Sequence, residues 1–242
     1  MEAEYTEAYG RLYREHWWWR AREEILLETI RGILKGRDSG LGILDVGCGA
    51  GLFFDALEEF GHVEGIESSS RAVEQSGRWR NRIHLGELDG TYTASRTFAI
   101  VLLLDVLEHV PDPEDLVRRS AALLSPGGVI LATVPAFDWL WTSHDELNHH
   151  VRRYTAAEMR ELMNRAGLKV LETRYLFPSL VLPKLVVRAK EAFLRSSPRV
   201  PRIPPRALNA ALAYWFRAEH PCTGRLPFGS SVLAVAQRAV SA

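Results

Sequence analysis

Nine residues constrain this chain more than any others. Ile43-Leu44-Asp45-Val46-Gly47-Cys48-Gly49-Ala50-Gly51 runs an apolar strand pattern into a turn with glycine at three alternate positions, followed by helix-compatible sequence. Glycines without Cβ atoms let the main chain turn sharply and let a ligand approach it, and the N–H groups opening the following helix offer donors. Glu67 lies twenty residues after Gly47, at the end of the next strand pattern, with Ser68 behind it. A carboxylate there accepts the hydroxyls of a ribose. Glycines that served only a tight turn would leave Asp45 and Glu67 without a reason to flank them.

Spacing separates two kinds of nucleotide ligand. A dinucleotide fingerprint places its third glycine at the sixth position of the loop, which is Leu52 here, with Gly51 one residue early. Asp45, just ahead of the turn, repels a pyrophosphate and attracts a cation such as an aminoacyl sulfonium. An NAD-dependent oxidoreductase on a Rossmann-like fold therefore stands as the alternative, and a non-catalytic binding protein as a second.

Around the loop, strand patterns alternate with helical ones: Ile43–Val46 and Leu52–Phe60, Val63–Ile66 and Arg71–Arg80, Ile83–Leu85, Phe98–Asp105 and Glu114–Leu124, Val129–Val134. Near-continuous apolar strands in such alternation predict an α/β fold, a parallel sheet covered by helices on both faces in three layers. The 242 residues, 47% of them hydrophobic, suffice for its core. Asp112 and Pro113 open the helix after the fourth strand, and Ser125-Pro126-Gly127-Gly128 is expected to end it. Thr155 and Glu158 have capping-box spacing at the start of a later helix. Leu168–Leu176 and Ser231–Ala236 read as two late strands.

The chain divides by this reading into an N-terminal helical segment (1–39), a core (40–177), a helical insertion between the last two strands (178–229), and a final strand with the C-terminus (230–242). The insertion has helical patterns at Leu180–Arg195 and Ala207–Glu219, joined by the stiff, proline-rich Pro198–Pro205. Two cysteines exclude a disulfide framework. The N-terminus lacks the order of a secretory signal, and apolar runs fall short of the roughly 18 residues a membrane span needs. A cytoplasmic location is expected.

On the residues quoted, Gly40–Leu176 resembles the class I S-adenosylmethionine (SAM)-dependent methyltransferases. Asp45–Gly51 matches the first motif of that family, Glu67 its ribose-binding acid, Gly86–Glu87 the position that faces the adenine, and Ser125–Gly128 the turn before the fifth strand. The resemblance implies a seven-stranded sheet with an antiparallel last strand, SAM as cofactor and S-adenosylhomocysteine (SAH) as product. It implies cofactor binding by Asp45, Gly47, Gly49, Gly51, Glu67, Ser68, Glu87, Leu88, Leu104 and Asp105. Whether Glu87 or Asp89 approaches the adenine is open. Arg20, in the Trp17-Trp18-Trp19 segment, either pairs with the methionine carboxylate or lies in solvent while the tryptophans dock the helix.

Asp105-Val106-Leu107-Glu108-His109 follows the fourth strand at the carboxyl edge, where ligands of open α/β sheets bind. In a helical backbone Asp105, Glu108 and His109 share one face. The segment is similar to the Glu-x-x-Glu-His of the ubiquinone-biosynthesis O-methyltransferases, which implies either a divalent metal on those three residues or, without one, His109 as a general base. Three of the eight histidines lie in Trp139–Tyr154, a loop without clear periodicity. His144 and His149 are the candidates there for contact with a small-molecule acceptor, expected to present a hydroxyl.

The balance of 30 basic and 30 acidic residues gives no sign of nucleic-acid binding, but it conceals an asymmetry. The insertion holds nine basic residues against Glu191 and Glu219, net +7, which leaves −7 for the remainder. Interleaved apolar residues make it a candidate for packing on the domain, for a homodimer contact, for peripheral membrane contact, or for receiving a lipid-like acceptor.

Overall fold

The computed structural model describes residues 3–37, 40–194, 201–224 and 226–238. Arg195, Arg199, Arg225 and the first part of the Pro198–Pro205 connection lie outside them. The chain divides into two compact units. One comprises Asp38–Pro135, Tyr154–Arg174 and Val232–Ala242; the other comprises Met1–Arg37, Ala136–Arg153 and Tyr175–Ser231.

The sheet unit carries β1 (Leu41–Val46), β2 (Gly61–Glu67), β3 (Ile83–Leu85), β4 (Phe98–Leu104), β5 (Leu124–Pro135), β6 (Leu168–Leu176) and β7 (Ser231–Arg238). Their order in the sheet is β3-β2-β1-β4-β5-β7-β6. β1 pairs parallel with β2 and β4, β2 with β3, and β4 with β5. Phe98 to Leu103 and Val129 to Leu131 are fully or almost fully buried, as strands covered on both faces must be. The strand order reverses between β1 and β4, and the crevice beyond their carboxyl ends is where such sheets take ligands.

Connecting helices are α3 (Phe54–Leu57), α4 (Ser70–Glu74) with a 3-10 turn at Gly77–Arg82, α5 (Pro113–Ala122) and α7 (Ala156–Arg165). The first two are shorter than the patterns Leu52–Phe60 and Arg71–Arg80 suggest. Left-handed backbone at Gly51, φ +67°, stands immediately before the first pattern, whose helix starts only at Phe54, and Gly77, φ +55°, lies inside the second and interrupts it. The caps follow the sequence more closely. Asp112 accepts from the Asp115 N–H at 3.0 Å with Pro113 in the first turn of α5, and Thr155 and Glu158 form a reciprocal capping box on α7. α5 ends at Ala122, so Ser125–Gly128 does not terminate it but lies inside β5. The β4–β5 register jumps from Phe98↔Leu124 to Ile100↔Val129 there, and the Pro-Gly-Gly turn is taken up as a strand irregularity.

In the helical unit, α1 (Ala3–Glu15) and α2 (Trp17–Leu34) are followed by α6 (Ser143–Leu147), α8 (Val181–Leu194) and α9 (Arg206–Thr223). The tryptophans dock helices. Trp17 stacks on Phe216 of α9 with ring centroids 4.6 Å apart, and Trp19 is buried against His16 and Tyr9. Asn209 of α9 straddles the α1–α2 break: its Oδ1 accepts the Trp17 N–H at 2.9 Å and its amide donates to the Glu15 carbonyl at 2.7 Å. It satisfies two backbone groups that a helix junction otherwise leaves open.

Candidate active site

The loop after β1 extends the β1–β2 ladder before it turns. Gly47 and Cys48 N–H both donate to the Ile66 carbonyl, at 2.8 and 3.2 Å. Gly47, Gly49 and Gly51 then adopt φ of +76°, +58° and +67°, the left-handed region where a side chain is strained. A Cβ on Gly47 would stand 2.6 Å from Val106 Cγ2, so this glycine lets the β1 loop meet the loop after β4. At Gly49 a Cβ would meet nothing within 4 Å, which leaves the main chain open to a ligand.

Glu67 holds the loop in shape. Its Oε2 accepts the Gly49 N–H at 2.8 Å and its Oε1 accepts the Ser69 N–H at 2.7 Å. A carboxylate has about four acceptor positions, so about two remain for vicinal hydroxyls. Ser68 is exposed, whereas its neighbour Ser69 caps α4 and anchors Glu67. Asp45 is buried at the end of β1, in register with Gly65 and Leu102. Burial, with the charges of Asp45 and then Glu67, raises the Cys48 thiol well above its ordinary pKa. The N–H groups of Gly47, Cys48, Gly49 and Gly51 are all taken up within the protein, so the loop offers a ligand negative charge, open approach at Gly49 and a half-engaged carboxylate rather than free donors. That combination fits the cationic sulfonium and ribose of SAM and does not fit a pyrophosphate.

Beyond β3, Leu88 is buried and Glu87 is exposed. Asp89 is engaged elsewhere: its Oδ1 accepts from the Thr91 N–H at 2.7 Å and the Thr91 hydroxyl at 2.6 Å. At the carboxyl end of β4 the backbone after half-buried Leu104 is not helical, contrary to the expectation for Asp105–His109. Asp105 takes φ +57°, its N–H donates to the Thr133 carbonyl at 2.9 Å, and its Oδ1 accepts the Thr133 hydroxyl at 3.0 Å. A single turn closes from His109 N–H to the Val106 carbonyl at 3.0 Å. Asp105, Glu108 and His109 therefore do not share a helical face; Glu108 is fully buried and His109 is exposed. Tyr154 supports this turn from beneath, its buried hydroxyl donating to the Leu107 carbonyl at 2.9 Å.

Arg20, His144 and His149 belong to the helical unit. Arg20 is exposed on α2. His149 is exposed at φ +58°, a strained position for a non-glycine residue. His144, on α6, has Nε2 3.1 Å from the Asn148 amide, and burial, then the charge of Lys184, lowers its pKa to about 4. The centre of this segment is a residue that sequence reasoning did not single out. Asp145 accepts from Arg153 Nε at 2.9 Å and Nη2 at 2.6 Å, from the Thr142 N–H at 2.8 Å, and pairs with His150 Nδ1 at 2.8 Å. The capping-box spacing of Thr142 and Asp145, with an arginine close behind, was the available signal.

His16 gives the helical unit a pH dependence. Its Nδ1 accepts the Trp18 N–H at 3.1 Å as the N-cap of α2, and burial lowers its pKa to about 4. The folded pKa lies below the unfolded one, so stability is complete above about pH 6.5 and falls with acidification as the unfolded chain takes the proton first. His16→Asn keeps a capping acceptor and does not titrate. Between pH 7.5 and 5, urea titrations should show a stability loss smaller by about 2 kcal/mol in this variant than in the parent; parallel curves would count against the assignment.

A methyltransferase domain family model matches residues 18–173, the greater part of the chain. The ubiquinone biosynthesis O-methyltransferase of Cupriavidus pinatubonensis is 26% identical over 189 residues, covering 66% of this chain and 75% of that one. Its counterpart from Coxiella burnetii is 33% identical over 105 residues, covering 39% of this chain and 42% of that one. Among solved structures, the N-methyltransferase NodS of Bradyrhizobium japonicum in complex with SAH superimposes with a TM-score of 0.53 at 14% identity, over 94% of this chain and 90% of that one. The seven-stranded α/β sheet and the electronegative glycine loop are those of a class I methyltransferase fold. The chain belongs to the methyltransferase domain family and is a SAM-dependent enzyme.

Proposed function

We propose that this enzyme transfers the methyl group of SAM to a hydroxyl of a small-molecule acceptor. The observation that carries this reading is the exposed His109 on the turn after β4, at the same switch-point edge as the glycine loop, in a chain similar to two enzymes named O-methyltransferases. SAM supplies an electrophilic methyl on a sulfonium centre. Asp45 provides negative charge toward that cation, the Gly47–Gly51 backbone admits it, and Glu67 accepts the ribose hydroxyls with its remaining lone pairs. Leu88 packs against the adenine. Glu87 takes its amino group, because Thr91 already occupies the Asp89 carboxylate.

His109 takes the hydroxyl proton at an imidazole nitrogen, the side-chain atom most often used for such a transfer. His144 is a poor base, since a pKa near 4 leaves it weakly basic at pH 7. The larger contribution is positional: holding nucleophile, methyl carbon and sulfur in line removes roughly 7–11 kcal/mol of barrier. The reading leaves the Asp105, Glu108 and His109 set out of metal chemistry, because no helical face joins the three: Asp105 sits in left-handed backbone turned to Thr133, Glu108 is buried and His109 is exposed. Incubation with SAM and a panel of phenols and alcohols, in chelator, should yield SAH and an O-methyl product. Turnover confined to amines, or turnover abolished by the chelator, would refute the assignment.

A further inference from the structure

We propose that α8 lies on an anionic lipid surface. At helical spacing, Leu182, Leu185, Val186 and Phe193 fall on one face of α8, and Lys184, Arg188 and Glu191 fall on the opposite one. A helix on a globular unit ordinarily turns its apolar stripe inward. α8 does the reverse. Arg188 Nη1 donates to the Trp141 carbonyl at 3.0 Å, and the Glu191 carboxylate accepts from the Ser143 N–H at 2.9 Å and the Ser143 hydroxyl at 2.5 Å. The charge of Lys184 is felt at His144. Leu182, Val186 and Phe193 are left 69%, 62% and 86% exposed. Trp215 of α9, itself exposed, donates its indole N–H to Ser179 just before α8, and an indole with an apolar body and a polar tip suits a membrane interface.

Charge selects the occupant of this face. The segment 178–229 is +7, and its two acids, Glu191 and Glu219, already accept from Ser143 and Ser179. A second copy would bring the same positive segment against it, whereas anionic headgroups bring the opposite sign, with exposed Lys190 at the margin of the apolar face. No described helix is long and apolar enough to cross a membrane, so α8 lies in the interface plane.

The test is flotation of the full chain with vesicles of phosphatidylcholine alone or mixed with phosphatidylglycerol, which reads binding without turnover. The parent should float only with the mixed vesicles, and less as salt rises. Val186→Glu with Phe193→Glu should lower the bound fraction roughly tenfold or more, with the melting temperature unchanged because both side chains are exposed. Lys190→Glu should weaken binding several-fold. Equal flotation with both vesicle types, or flotation unaffected by these substitutions, overturns the proposal. So does a dimer by light scattering that the double substitution dissolves while the parent ignores vesicles.

Discussion

Glu67→Ala should weaken SAM binding by about a hundredfold or more in a calorimetric titration. Glu67 carries two tasks that converge on one carboxylate. Its two oxygens already hold the Gly49 and Ser69 N–H groups and so fix the glycine loop. The remaining lone pairs face the ribose in the proposed arrangement. Hydrogen bonds to a charged group contribute about 1.5–3 kcal/mol each, and about 1.4 kcal/mol is a tenfold change in affinity, so losing two such bonds gives the expected factor. Glu67→Gln separates the tasks. Its amide retains one acceptor oxygen but turns an NH2 toward a backbone donor, and the loss should be nearer tenfold. An alanine variant that binds SAM within about threefold of the parent would remove Glu67 from the site.

What the sequence revealed, and what it concealed, follows the range of the interactions involved. The β1 loop, Glu67 at the end of β2, and the caps of α5 and α7 were legible because the determining partners lie within one supersecondary unit. The turn at Asp105–His109 was not, since its left-handed Asp105 is held by Thr133 on β5, 28 residues away. α8 illustrates a different limit. Its sequence shows two faces, but which one docks is decided by Trp141 and Ser143, whose carbonyl, amide and hydroxyl claim Arg188 and Glu191. Likewise, the three histidines of 139–154 drew attention as chemical groups, while the residue that organises the segment is an acid. His150 is engaged by Asp145, and His144 is set by burial and Lys184.

That acid sets the largest stability effect expected in the helical unit. Asp145 and Arg153 have side chains only 1% exposed, so neither charge has water to fall back on. Burial alone would raise the Asp145 carboxyl, but hydrogen bonds from His150 and Arg153, with the Arg153 charge, hold it well below the usual carboxylate range. Arg153 also ties Nη1 to the Ala136 carbonyl at 2.9 Å, so one guanidinium joins the start of the segment to its middle. Arg153→Met leaves a buried carboxylate without its cation and should cost about 3–5 kcal/mol in urea unfolding. Removing both charges should cost much less, since Arg153→Met with Asp145→Leu strands no ion; the double variant should recover at least half of the loss. The pH profile supplies an independent readout. The parent's depressed carboxyl contributes stability that is present above about pH 3.9 and lost as pH falls below it, and the Arg153→Met profile should lack most of that acid-range loss. A single variant within about 1 kcal/mol of the parent would show that the pair is not what holds 136–153 together.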